Sequence, residues 1–247
     1  MSLLTNECGI PLREAHHESK KSMEYSSQIK AIMFDLDDTL IHSTIDFMKL
    51  KRKTIDFYSS LGVSPDTLSQ NMKTHEILQK ATSVLRKTGY TPREILCIVK
   101  KTSILWNQIE IENVSSTCAV QGAKKTLTIL KKQNYDVGVV TRSCRRYALK
   151  ALKLTGLLEF VDVIVARDDC EKDKPNPEPL VQAMKAVGSK AEETIMIGDS
   201  ITDFLCSKNA GVRFIGILHE DDHLMNLERN TFVETIQDLK YLVDLLT

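Results

Sequence analysis

The chain has 247 residues, 42% hydrophobic and 27% charged, an ordinary balance for a globular protein with a sizeable core. Lysine plus arginine equals aspartate plus glutamate at 33 each, so no net field draws nucleic acid and no acidic excess marks a solvating tail. No apolar run approaches the roughly 18 residues of a membrane span, and six scattered cysteines without a C-x-x-C pair favour reduced thiols in the cytoplasm over a disulfide framework.

Residues 1–29 are polar and aperiodic and read as a loosely ordered extension, His16-His17 included, with no apolar segment of the secretory kind. The first strand is expected over 30–36. Its run Ala31-Ile32-Met33-Phe34 is continuously apolar, as in a strand covered on both faces. The run ends on Asp35, Asp37 and Asp38, three acids in four positions. Close carboxylates repel and resist joint ionisation, so a metal cation and a phosphoryl substrate would account for them.

No strand is expected from Ile41 to Thr117. Helical periodicity runs over 44–61, 68–87 and 92–112, with breaks at Gly62 to Pro65 and at Gly89 to Pro92. Thr91 reads as an N-cap, Pro92 as the first helical residue and Glu94 as the partner in a capping box. Trp106 reads as packing within these helices.

From Ala119 the chain alternates. Helices are expected over 122–133, 144–154, 177–187, 201–210 and 235–246, and strands over 135–141, 161–166, 194–198, 214–218 and 231–233. Alternation of this kind predicts an α/β fold with right-handed crossovers, a parallel sheet and helices on both faces. The core would comprise 30–41 and 118–247, and 42–117 would be an inserted helical domain.

Open parallel sheets bind ligands at the carboxyl ends of their strands. Asp35, Asp37 and Thr39 follow the first strand, and Thr141-Arg142-Ser143 the second. Lys172-Asp173-Lys174-Pro175 comes after the third, and Gly198-Asp199-Ser200-Ile201-Thr202-Asp203 after the fourth. Carboxylates gathered at one edge call for a divalent cation, and all-oxygen ligation suits Mg²⁺. Lys174 and the Thr141 hydroxyl offer charge and hydrogen bonds to a phosphoryl group. A carboxylate can itself act as nucleophile on phosphorus.

Asp35-Leu36-Asp37-Asp38-Thr39, Thr141, Lys174-Pro175 and Gly198-Asp199-Ser200-x-x-Asp203 resemble, in order and spacing, the four motifs of the haloacid dehalogenase-like (HAD) hydrolases. The helical block after the first motif resembles the C1 cap of the phosphoglycolate phosphatase-like branch. The resemblance implies a Rossmann-like core with an all-helical cap, and a Mg²⁺-dependent phosphatase working through a phospho-aspartate. It implies that Asp35 is the nucleophile and a metal ligand. Asp37 would be the acid and base, with its carbonyl on the metal, and Thr39 would shape the turn. Thr141 would bind phosphoryl oxygens, and Lys174 would hold nucleophile and phosphate together. Asp199 would ligate the metal, and Asp203 would support its shell or orient Lys174. An acid at position 37 favours phosphoryl transfer over dehalogenation, because an alkoxide leaving group benefits from protonation.

Arg142, Arg145 and Arg146 follow Thr141 and are candidates for a second anionic group on the substrate, with Arg142 placed among the phosphate binders. Lys174 is preferred over Lys172 because Pro175 follows it. Cys144 reads as a buried structural thiol, and His219-Glu220-Asp221-Asp222-His223 as a surface turn. The expected substrate is a small phosphomonoester: phosphoglycolate first, then sugar or nucleotide phosphates. Neither nucleic acid nor membrane is expected as partner, and the chain would act as a monomer or homodimer. A phosphomutase resembling β-phosphoglucomutase and a non-catalytic phosphate-binding relative are the alternatives.

Overall fold

In a computed structural model, which describes residues 29–218, 233–236 and 238–246, the chain opens with β1 (Ala31–Phe34), buried at all four positions. β2 (Ile41–His42) follows, then α1 (Phe47–Ser59), α2 (Thr74–Lys87) and α3 (Pro92–Glu112). The chain returns through β3 (Cys118–Ala119), α4 (Ala123–Lys132), β4 (Asp136–Val140), α5 (Arg145–Leu154) and β5 (Val163–Val165). It continues with α6 (Glu178–Val187), β6 (Thr194–Gly198), α7 (Ile201–Ala210), β7 (Arg213–Ile217), β8 (Val233–Ile236) and α8 (Lys240–Leu246).

Six strands form one sheet in the order β5-β4-β1-β6-β7-β8, with every neighbour parallel. β1 lies inside it, Ala31 being level with Asp136 on one side and Thr194 on the other. Its side chains alternate between two cores. Ile32 and Phe34 pack with Leu127, Leu130, Tyr147 and Leu242 on the face covered by α4, α5 and α8. Ala31 and Met33 pack with Leu180, Met184 and Phe204 on the face covered by α6 and α7. This double covering is why the run is apolar throughout. A Cβ at Gly138 of β4 would lie 2.2 Å from the Met33 sulfur, so only glycine lets the methionine lie there. The strand order turns back on either side of β1, which places a ligand crevice at its carboxyl end.

The three inserted helices have a cluster of their own, including Tyr58, Ile77, Leu85, Ile95 and Ile98. None of the described helices is long and apolar enough to cross a membrane.

Several boundaries differ from expectation. β1 stops at Phe34, although Asp35 N–H still donates to Ile197 O across the sheet at 2.8 Å. α1 starts at Phe47 because Asp46 caps it, its carboxylate accepting from Lys49 N–H at 2.8 Å. α2 starts at Thr74, six residues after the expected start at 68. Pro65–Thr67 forms a separate 3-10 turn, and serine and asparagine side chains at 69–71 compete for the backbone, Ser69 Oγ accepting from Asn71 N–H. A short antiparallel pair, Ile41 with Ala119 and His42 with Cys118, joins the ends of the insertion where no strand was expected. Two-residue strands carry no readable alternation. The last helix begins at Lys240 rather than 235, because Val233–Ile236 pairs with β7 instead. Thr231 and Phe232 of the expected short strand, His16-His17, and the stretch from His219 to His223 lie outside the described residues.

Candidate active site

The carboxyl end of β1 runs into a turn that only certain residues allow. Asp38 has φ of 59°, a left-handed conformation that aspartate tolerates better than most residues. Its N–H donates to Ile41 O at 2.7 Å, and its Oδ1 accepts from Ser43 N–H at 3.0 Å. Leu40 and Ile41 N–H both donate to Leu36 O. This turn presents Asp35 and Asp37 on one side. Thr39 is fully buried behind it, its hydroxyl without a partner.

Asp35 is buried, and its Oδ1 accepts from Lys174 Nζ at 2.5 Å. The same ammonium donates to Asp203 Oδ1 at 2.5 Å and to Val140 O at 2.7 Å. All three of its protons are therefore used. Burial works against the charge on Lys174, but Asp203 and Asp35 outweigh it and hold the pKa above the ordinary value. For Asp35 burial dominates in the other direction. It pushes the carboxyl up, Lys174 pulls it down, and Asp203, Asp199 and Asp37 push it up again.

Asp203 reaches Lys174 from the first turn of α7. There Ser200 caps the helix: its hydroxyl donates to Asp203 Oδ2 at 2.5 Å, and its N–H to the same oxygen at 3.2 Å. Gly198 gives the approach room, since a Cβ there would stand 2.7 Å from Asp203 Cγ. Oxygen atoms of Asp35, Asp199 and Asp203 all lie within 4.8 Å of one another. Close all-carboxylate sets of this kind suit a hard divalent cation.

Asp37 is tied on both oxygens. Ser143 Oγ donates to Oδ2 at 2.7 Å, and the Tyr147 hydroxyl to Oδ1 at 2.8 Å. Burial raises its pKa, while these hydrogen bonds act against the rise. Thr141 extends β4, its N–H donating to Val165 O at 3.0 Å. Its Oγ1 accepts from Ser143 N–H at 3.0 Å, which leaves the hydroxyl proton for a ligand.

A cavity of about 220 Å³ joins these groups. Asp35, Asp37, Thr141, Arg142, Lys174 and Asp199 all line it. Of the expected residues, Thr39 and Asp203 stand behind it. Lys172 and Arg146 are exposed, and neither lines the cavity. Arg145 is held elsewhere by Asp169, through Nε at 2.7 Å and Nη2 at 2.6 Å. Cys144 is fully buried at the start of α5, and burial, with Glu110 nearby, pushes its thiol up to about 12.

Sequence reasoning named Ser143 in the strand-end cluster without giving it a role, missed Tyr147, and missed a polar contact that joins the insertion to the core. Glu110 of α3 is buried and ion-paired with Arg167, Nη1 to Oε1 at 2.5 Å. Its Oε2 accepts from Cys144 N–H at 2.8 Å, at the start of α5. Arg167 also donates to Asn107 Oδ1 at 2.6 Å and stacks over Trp106, 5.3 Å from the ring centre. Trp106 is buried as expected, with Nε1 donating to Thr54 Oγ1 at 2.8 Å, and it also lines the cavity. The one available signal was Glu110 itself, an acid next to Ile109 on the apolar side of a helix.

The chain is 43% identical over 122 residues to the pyrophosphatase PpaX of Halalkalibacterium halodurans, covering 48% of this chain and 57% of that protein. It is 30% identical over 191 residues to the PpaX of Bacillus mycoides, covering 77% of this chain and 84% of that one. The matched stretch thus spans little more than half of the first relative. Two solved structures share the fold. A predicted phosphoglycolate phosphatase from Haemophilus somnus aligns over 90% of this chain and 99% of its own, with TM-score 0.60 and 19% identity. The HAD-hydrolase YfnB of Bacillus subtilis, bound to magnesium, aligns over 89% of this chain and 99% of its own, with TM-score 0.52 and 19% identity. The sequence profile of the haloacid dehalogenase-like hydrolases matches residues 32–217, all four strand-end clusters included, and the chain belongs to that family.

Proposed function

We propose that the protein is a Mg²⁺-dependent phosphatase that passes the phosphoryl group of a small phosphomonoester to Asp35 and then to water. The observation that carries this reading is the buried Lys174, which ties Asp35 to Asp203 beside Asp199 at the floor of the cavity. An ammonium there screens an anionic nucleophile from an anionic phosphate.

In this reading Lys174 holds Asp35 Oδ1 and leaves Oδ2 for attack. Oδ2 bonds to phosphorus as the bond from phosphorus to the leaving oxygen breaks, and Asp37 gives that oxygen its proton. A water oxygen then attacks the same phosphorus while Asp37 takes the water's proton. The bond from Asp35 to phosphorus breaks, and inorganic phosphate leaves. A carboxyl raised by burial suits a group that must hold a proton in one step and accept one in the next. The Thr141 hydroxyl donates to a phosphoryl oxygen.

The donor set fits Mg²⁺. Burial and three neighbouring acids push Asp35 up against a single ammonium, an imbalance that a divalent cation offsets. The Asp35 and Asp199 carboxylates and the Asp37 carbonyl would hold the ion, with Asp203 supporting. Bound there, it neutralises charge on the carboxylates and the phosphoryl oxygens. Residues 42–117 act as the cap over a core of 30–41 and 118–247, excluding water and selecting the leaving group. The relatives named pyrophosphatase favour a second reading, in which inorganic pyrophosphate is the substrate. Free thiols at all five described cysteines support a cytoplasmic location.

A malachite-green assay over small phosphates with Mg²⁺ tests the reading. Asp35→Asn is expected to abolish phosphate release, and chelation of Mg²⁺ to do the same reversibly. Full hydrolysis of p-nitrophenyl phosphate by Asp35→Asn would sink the mechanism.

A further inference from the structure

Three cations line the cavity among the described residues; Lys174 is fully engaged by the protein, and Arg167 is engaged at both Nη atoms, with only its buried Nε lacking a partner. Lys174 gives its three protons to Asp35, Asp203 and Val140 O. Arg167 gives its Nη protons to Glu110, Asn107 and Arg142 O. Arg142 differs. Its Nε stands 3.5 Å from Asp173 Oδ2, at the outer limit of a hydrogen bond, and the two side chains are 30% and 33% exposed. Neither Nη atom donates to a described residue, so four of its five N–H donors have no acceptor among the described residues.

The base of this side chain is fixed. Arg142 O accepts from Arg167 Nη1 at 2.6 Å, and the next N–H, of Ser143, is held by Thr141 Oγ1. The guanidinium therefore belongs to a pinned loop one residue beyond the hydroxyl that faces the phosphoryl group. The rest of the wall holds apolar side chains such as Ile45, Leu50 and Trp106, neutral hydroxyls such as Thr74 and Thr202, and the acids Asp38 and Asp173. A substrate anion on the leaving side meets repulsion from those acids unless Arg142 pairs with it. The space, about 220 Å³, takes a phosphoryl group and a few further heavy atoms, and it falls short of the roughly 300 Å³ at which pockets for larger ligands begin.

Resting on the phosphatase reading, we propose that Arg142 is a specificity residue: its two Nη atoms bind a second anionic group carried by the leaving group. The substrates are then small phosphates whose leaving group is itself an anion. That second anion is a phosphate, as in inorganic pyrophosphate, or a carboxylate, as in phosphoglycolate. Asp173 holds the guanidinium loosely until that anion takes its place, and planar oxyanions match the arginine fork in two hydrogen bonds.

The test is kcat/KM on inorganic pyrophosphate and 2-phosphoglycolate against ethyl phosphate and p-nitrophenyl phosphate, with wild type, Arg142→Ala, Arg142→Lys and Asp173→Asn. In Arg142→Ala, the loss on the first pair is expected to exceed the loss on the second by about ten- to a hundredfold, the worth of a charged hydrogen-bond pair. Arg142→Lys is expected to fall between, and Asp173→Asn to lower KM for the first pair. A selective loss on pyrophosphate alone identifies the second anion as phosphate, and on phosphoglycolate alone as carboxylate. Equal losses on all four substrates, or none, overturn the subsite. A wild type that hydrolyses only ethyl and p-nitrophenyl phosphate overturns the subsite while leaving the phosphatase reading intact. A wild type that hydrolyses none of the four overturns both.

Discussion

Asp37 accepts from Ser143 and Tyr147, side chains 106 and 110 residues away along the chain, and no local pattern links them. The same stretch holds Cys144, fully buried like Cys206 on α7. Burial raises both thiols from the ordinary 9.0 to about 12. A raised folded pKa means that the native state keeps protons which the unfolded chain releases. The contribution to stability is thus complete below about pH 9 and is lost as pH climbs toward 12. Urea midpoints are expected to fall between about pH 9 and 11, and to fall less steeply in a Cys144→Ala, Cys206→Ala double variant. An unchanged slope in that variant would refute the assignment to these thiols. Tyr147, which burial and Asp37 also hold above its ordinary value, contributes in the same direction at the alkaline end.

Elements with paired end signals were the most readable. The capping box of Thr91 and Glu94, with Pro92 at the first helical position, fixed α3 at the expected residues. The start of α2 was misread because apolar residues at 68 and 72 continue a helical period through a segment that serine and proline hold in turns. α7 joins an end signal to the site, since Ser200 both caps the helix and holds the Asp203 carboxylate that receives Lys174. Ser200→Ala is expected to cost about 1 kcal/mol of stability, the usual worth of an N-cap. It is also expected to lower kcat more than KM, because Asp203 loses the donor that aims it. Thermal denaturation and steady-state kinetics measure the two effects separately. A variant with wild-type kcat would show that Asp203 needs no such support.

Across the whole molecule, the insertion meets the core through apolar side chains, Leu50, Trp106 and Ile109 among them, and through the buried ion pair of Glu110 with Arg167. The Glu110 and Arg167 side chains are 3% and 11% exposed. Glu110→Ala leaves the guanidinium against Trp106 without its countercharge, and breaking a buried pair in this way costs about 3–5 kcal/mol. Hydrogen exchange is expected to rise at the start of α5, where Cys144 N–H loses its acceptor, and in the second half of α3. Wild-type protection in both places would mean that the helices dock without this contact.

By itself the sequence determined the alternation of strands and helices, the insertion after β1 and the four clusters at the strand ends. Each rests on information local in the chain: a continuous apolar run, a 3.6-residue period, a turn residue or a cap. It also carried the residues Asp35, Thr141, Lys174 and Asp199, because strand ends in a parallel sheet share one edge. Tertiary structure alone decided which groups touch. It set Lys174 between Asp35 and Asp203, bound Asp37 to Ser143 and Tyr147, engaged Arg145 and Arg167, and left Arg142 with donors to spare. Hydrogen bonds and ion pairs depend on distances of a few ångströms between segments far apart in sequence. Asp35, Asp37 and Asp38 line one cavity only because β4, β6 and α3 close around them.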